Sequence, residues 1–236
     1  MLLRVDLEAL QLGPHGFNLI TPPPASRGLL SHEFPEGQIR HFLFDHREMS
    51  TELLPGFRIP LRPFLGILGV APAAHGPHIS SVPGPFGGNM DCVDLVAGCT
   101  VYLPIWVDGA LFYAGDAHAA QGSGEVCQTA IETSMDRVRL RLTVVEQARL
   151  PRPHAVTGTH LLTMGFHEDL RQAAIQAVDD MVTWLALEYG FTRADAYVLC
   201  SLQADLMVTQ AVNKTNGVHA RLPLALLAQC SGARAR

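Results

Sequence analysis

The hydrophobic pattern of this chain is regular in only a few stretches, and each of them predicts an element. Arg137-Val138-Arg139-Leu140-Arg141-Leu142-Thr143-Val144-Val145 alternates strictly, which predicts a strand with one wet face. Apolar residues at Leu170, Ala173, Ala174, Ala177, Val178, Met181, Val182 and Leu185 recur at helical spacing. They predict an amphipathic helix that opens after His167-Glu168-Asp169 and closes at Gly190. Thr192 with Asp195 three residues on resembles a capping box, so a second helix is expected through about Cys200. Shorter apolar runs predict strands at Leu3 to Leu7, Phe42 to Phe44, Thr157 to Phe166 and Leu206 to Val212. Cys99 to Val107 and Ala110 to Ala114 flank Asp108-Gly109 and read as a hairpin with a tight turn. Between Pro60 and Gly87 the repeated prolines predict a long loop, and the Ala/Arg-rich tail from Ser231 is expected to fray. The pattern therefore gives an α+β, predominantly β fold. Residues 1–156 form a β-rich part carrying the glycine-rich acidic segments, and residues 157–236 form a smaller α+β part.

With 236 residues and 48% hydrophobic content the chain can bury a sizeable core. Its net charge of −5 and the lack of any Lys/Arg cluster interleaved with aromatics exclude a nucleic-acid partner. No apolar run reaches the ~20 residues of a membrane span, and the N-terminus has no signal-peptide pattern. Neither a membrane nor secretion is expected. Five cysteines with no CxxC argue against a disulfide framework and a zinc-thiolate site, which points to a reducing cytosol. No G-x-S-x-G, Ser-x-x-Lys or Walker signature is present.

The chemistry gathers in Gly115-Asp116-Ala117-His118-Ala119-Ala120-Gln121-Gly122-Ser123-Gly124-Glu125. Asp116 and His118 lie two apart, so an extended backbone puts both on one face, and the glycines let the chain return Glu125 toward them. Upstream, Gly87-Gly88-Asn89-Met90-Asp91 adds a further carboxylate. Asp91, Asp116, His118 and Glu125 together suit zinc or another divalent ion with an open position. An ion held there polarises a carbonyl and acidifies water, leaving a carboxylate as general base. Plainer readings stand beside this one. Asp116 and His118 also read as loop polar groups, Glu125 as the solvated start of the next strand, and Asn89 with Asp91 as a turn. His75 and His78 read as exposed loop residues, and His160 as a half-buried strand histidine. A cupin-like oxygenase would need a second histidine close to His118, and there is none.

Arg62-Pro63-Phe64-Leu65-Gly66, Val82-Pro83-Gly84-Pro85-Phe86-Gly87-Gly88-Asn89-Met90-Asp91, Val101 to Pro104 and Gly115 to Glu125 stand in an order that resembles the acetamidase/formamidase family, over about residues 57 to 222. The resemblance implies hydrolysis of short linear amides such as formamide and acetamide to ammonia and a carboxylate. It implies a β-sandwich or barrel-like fold with a smaller α+β part, a divalent metal (zinc, with calcium as the alternative), and a cytoplasmic homo-oligomer, a dimer. Carried onto this chain, the site comprises Asp91, Asp116, His118 and Glu125 as catalytic residues, with Asn89 and Gln121 binding substrate. Asp91, His118 and Glu125 would hold the metal, and Asp116 would orient His118 or take a proton from the attacking water. Glu125 as base with Asp116 as ligand fits equally well. Family members carry several tens of residues before the position of Met1, including a His-containing strand that helps wall the site. An open-sided pocket is therefore expected, with a non-catalytic metal-binding or assembly module as the rival reading.

Overall fold

The computed structural model describes residues 1–146 and 150–230, so the expected fraying from Ser231 lies outside the described residues. Thirteen strands are joined in a single hydrogen-bonded network. In chain order they are β1 (Leu2–Ile20), β2 (Gln38–Asp45), β3 (Ser50–Leu54), β4 (Phe57–Pro60), β5 (Phe64–Gly69), β6 (Gly87–Asn89) and β7 (Thr100–Pro104). Then follow β8 (Tyr113–His118), β9 (Glu132–Val145), β10 (His154–Val156), β11 (His160–His167), β12 (Asp205–Gln210) and β13 (Asn216–Pro223). The helices are α1 (Leu170–Tyr189), α2 (Arg193–Gln203) and α3 (Leu224–Leu227). The main path runs β12-β13-β11-β10-β7-β1-β9-β8-β5-β6, with β2, β3 and β4 branching from β1. The predominance of β structure agrees with the pattern of the sequence.

The network depends on β1, which is far longer than the Leu3–Leu7 strand the sequence predicts. Its first residues lie between β7 and β9, and its last six, His15 to Ile20, pair with β2. Register shifts after Leu7, Gln11 and Leu12 let one strand serve both regions, because each bulge bends the backbone and re-aims its side chains. Leu3, Val5, Leu7 and Leu10 enter the main core with Leu68, Val101, Leu103 and Met164.

The helices form as the periodicity predicts. Asp169 caps α1 by accepting from the Gln172 amide at 2.9 Å, and Gly190 closes it in the left-handed conformation at φ 74°. Thr192 caps α2 through Oγ1, which accepts from the Asp195 amide at 3.1 Å. The inner face of α1, including Ala173, Ala177, Met181 and Leu185, packs on Leu161, Val218 and Leu222 of β11 and β13. Close approach needs Gly165, where a Cβ would collide with the Ala173 carbonyl. β10 pairs with both β7 and β11, so hydrogen bonding crosses the 156/157 boundary.

Two expectations are corrected, and one strand is added to those expected. β7 and β8 do not form a hairpin: β7 pairs with β1 and β10, and β8 with β5 and β9. Asp108-Gly109 turns the chain, but the strand partners come from other segments. The expected loop after Pro60 contains β5, whose apolar Phe64-Leu65-Gly66-Ile67-Leu68-Gly69 is a buried strand. β13, which the sequence pattern did not predict, pairs with β11 along its whole length.

Asp94 ties these regions together. Its carboxylate accepts from Arg62 at 3.0 Å, lies 3.2 Å from His219 Nε2 and 3.7 Å from Arg221, while His219 Nδ1 meets Thr209 Oγ1 at 2.9 Å. The hydrogen bond with His219 outweighs burial and holds the carboxyl at about 2. A carboxyl depressed on folding stabilises the protein above its ordinary value of 3.8, and that contribution fades as the pH falls through 2. Asp94→Asn should therefore cost on the order of 2 kcal/mol, roughly 4–8 °C in melting temperature, at neutral pH. Thermal melts from pH 7 down to pH 3 should show the gap between variant and wild type narrowing once the pH drops below the carboxylate range. A gap independent of pH would refute the assignment.

Candidate active site

β5 and β8 run antiparallel, pairing Phe64 with His118, Leu65 with Ala117 and Ile67 with Gly115. Asp116 and His118 therefore lie within a strand, not in the loop beyond one that the sequence suggested. Their spacing of two puts both on one face. The Gly66 carbonyl accepts from the amides of Met90 and Asp91 at 2.9 and 3.1 Å, which brings the end of β6 over the same point. Glu125 arrives from a turn in which its amide bonds to the Gly122 carbonyl at 3.2 Å. That turn is fastened to β12: the Gly124 amide donates to Thr209 and the Gly124 carbonyl accepts from Ala211, both at 3.1 Å.

The five groups that meet are Asp91, Asp116, His118, Glu125 and Glu132. His118 Nε2 lies 3.3 Å from Asp116 Oδ1 and 3.2 Å from Glu132 Oε2, and its ring packs edge-on against Phe64 at 5.0 Å. Ligand atoms of Asp91, His118 and Glu125 lie within 4.8 Å of one another, as do those of Asp116, His118 and Glu132. Asp91 Oδ2 accepts from Asn89 Nδ2 at 3.0 Å and from Asn213 Nδ2, while Gln121 Nε2 donates to the Asp91 carbonyl at 3.0 Å. The six candidate site residues, Asn89, Asp91, Asp116, His118, Gln121 and Glu125, thus lie together. Glu125 is 6% exposed, which excludes the solvated strand-start reading.

Sequence reasoning missed Glu132 and Asn213. Glu132 begins β9 and carried no signal beyond its charge. Asn213 lies in a turn shaped by buried Gln210, whose Oε1 accepts the amides of Val212 and Asn213, each at 2.9 Å. Nothing local marks that turn as part of a site whose members lie roughly 80 to 120 residues upstream. His75 and His78 sit in an exposed loop away from this group, and His160 is half-buried in β11, bonded to Thr159.

Asp91, Asp116 and Glu125 all have positive φ, at 50°, 59° and 48°. That region costs a non-glycine residue on the order of 1 kcal/mol or more. The fold tolerates it at three converging acidic residues, which aims their side chains where regular backbone would not. The electrostatics are strained in the same way. Burial lifts Asp91 and Glu125 above the ordinary carboxylate range, with repulsion from Asp116 adding at Asp91 and from Asp91 adding at Glu125. Burial alone would lower His118, but hydrogen bonds with Asp116 and Glu132 raise it to about 11. Among the described residues, four buried side-chain atoms have no partner: Asp91 Oδ1, His118 Nδ1, Asn89 Oδ1 and Gln121 Oε1. Asp91 Oδ1 and His118 Nδ1, unpaired among crowded carboxylates, fit a bound cation, which would pair them and relieve the repulsion.

The Acetamidase/Formamidase family profile matches residues 73–229. The fold superimposes on an acetamidase from Bacillus halodurans with a TM-score of 0.90 and 33% identity, covering 97% of this chain and 75% of that one. A Thermoanaerobacter tengcongensis protein described as a predicted acetamidase/formamidase gives a TM-score of 0.89 at 25% identity, over 98% and 74% of the two chains. A curated Schizosaccharomyces pombe protein, provisionally named a formamidase, is 26% identical over 51% of this chain. The match covers 42% of that relative's length.

Gly66 forms the floor beneath the acidic group. A Cβ there would lie 2.5 Å from both Asp116 Oδ2 and Asp91 Oδ1, and 3.0 Å from His118 Cε1. Gly66→Ala should therefore push the two carboxylates apart at an overpacking cost of about 1–3 kcal/mol, lowering the melting temperature by roughly 3–10 °C. Calorimetry checks this, and an unchanged transition would mean that the acidic group is not held against β5 as described.

Proposed function

The chain belongs to the acetamidase/formamidase family, and on that premise we propose that it hydrolyses the C–N bond of short linear amides, formamide and acetamide among them. The observation that carries the reading is the convergence on His118 of Asp91 and Glu125 on one hand and Asp116 and Glu132 on the other, close to Gly66, with buried Asp91 Oδ1 and His118 Nδ1 unpaired. Asn89 and Gln121 suit a primary amide. Each spends its NH2 on Asp91, which leaves Asn89 Oδ1 and Gln121 Oε1 as buried acceptors for the two N–H donors of a carboxamide.

Asp91, His118 and Glu125 would hold a divalent cation. When bound, it supplies Lewis acidity toward the amide carbonyl. We assign zinc because the donor set includes an imidazole; calcium, which prefers oxygen donors, is the alternative. Glu132 fixes the His118 ring through Nε2. Asp116, whose side chain is 28% exposed, reaches water from the same strand, removes its proton and returns it to the leaving nitrogen. Water oxygen bonds to the carbonyl carbon, the C–N bond breaks, and ammonia departs with the carboxylic acid, which then gives up its proton to become the carboxylate. We further infer a reducing cytosol, consistent with five free cysteines, and a homodimer, which sizing in solution tests.

Ammonia release from formamide, acetamide and propionamide is the decisive assay. Chelation should abolish it, and restored zinc should recover it more fully than calcium. Asp116→Asn should lower kcat at least about a hundredfold while the ion stays bound, whereas Glu125→Gln should lose both ion and activity. Full turnover after complete chelation would sink the role of the ion. A protein that binds metal and cleaves no amide would favour the non-catalytic module.

A further inference from the structure

Beside the acidic group lies a cavity of about 560 Å³ whose floor includes Glu125 and Gln121. Its walls are mainly carbon: Ile20 from β1, Phe42 from β2, Leu53 and Ile59 from the β3–β4 hairpin, and Ile131 before β9. Phe42 and Ile131 are buried in one small core with Leu12, Leu61 and Ala119, so these walls are fixed rather than incidental. Arg40 is the wall's other charged residue, and its guanidinium is engaged by the Leu53 carbonyl at 3.0 Å. Formamide and acetamide have three and four heavy atoms. A cavity of this size matches pockets that enclose whole organic ligands several times larger.

We propose that this cavity receives the acyl group of the substrate, so that the preferred amides carry an apolar chain of roughly four to seven carbons or a ring of that size. The inference rests on the amidase reading and narrows its substrate class. Glu125 and Gln121 line the cavity, and Asn89 and Gln121 both bond to Asp91, so a carboxamide taken up by these amide oxygens would extend its acyl carbon toward the cavity. Each methylene moved from water onto Ile20, Leu53, Ile59 and Ile131 should raise kcat/KM about fourfold.

The test compares kcat/KM for acetamide, butyramide, hexanamide and benzamide. A rise along the series, amounting to tens-fold or more between acetamide and hexanamide, is expected. Leu53→Trp and Ile59→Trp, each checked by its thermal transition, should each narrow the cavity and bring the hexanamide-to-acetamide ratio down toward unity. A flat or falling series with measurable acetamide turnover would overturn the proposal, as would wall variants that leave the ratio unchanged. Calorimetric binding of hexanamide separates this failure from failure of the amidase reading. Binding that the tryptophan variants weaken, with no amide cleaved, would keep the cavity as the acyl site and remove the chemistry, whereas no binding and no cleavage would remove both.

Discussion

Four carboxylates cannot be gathered in a largely dry interior unless something answers their mutual repulsion, and in this protein the answer begins with a missing side chain. At Gly66 the backbone of β5 passes so close to Asp91 and Asp116 that any Cβ would strike both oxygens. Because that strand is unadorned there, its carbonyl can hold the Met90 and Asp91 amides while β8 presents Asp116 and His118 from the other side. Asp91, Asp116 and Glu125 converge there in left-handed conformations. Each is unfavourable alone and is held in place by hydrogen bonding around it.

The site is not a property of the β-rich part alone. Asn213 reaches Asp91 from the turn after β12, and the Glu125 turn is bonded to Thr209 and Ala211. Asp94, three residues beyond Asp91, meets His219 on β13. The helical layer that packs on β11 and β13 therefore bears on the chemistry at a distance, by fixing the strands from which these contacts come.

What the sequence revealed and what it hid have the same physical origin. Asp116 and His118 were legible because a spacing of two fixes a shared strand face whatever the strand pairs with. Asp91 and Glu125 were legible because glycine-rich polar segments advertise tight backbone. The α1 and α2 boundaries were legible because caps act within four residues. Glu132 and Asn213 were not, since each joins the site through a contact that spans many intervening residues. The β7–β8 hairpin failed for a related reason: Asp108-Gly109 is a sound local turn, but β1, β5, β9 and β10 compete for the flanking strands and win. β5 was hidden by the prolines on either side of it, Pro60, Pro63 and Pro72, although its apolar run is what a strand buried on both faces should look like.

The length of β1 bears on how the chain comes to be folded at all. Leu2 to Leu12 finds its β9 partners between Met135 and Val145, more than a hundred residues downstream. During synthesis at roughly 5–20 residues per second, that apolar segment waits on the order of ten seconds before its partner strand emerges. Only the His15–Ile20 stretch can pair early, with β2. An exposed, alternating strand without its neighbour is a template for other chains, and slower translation lengthens that exposure.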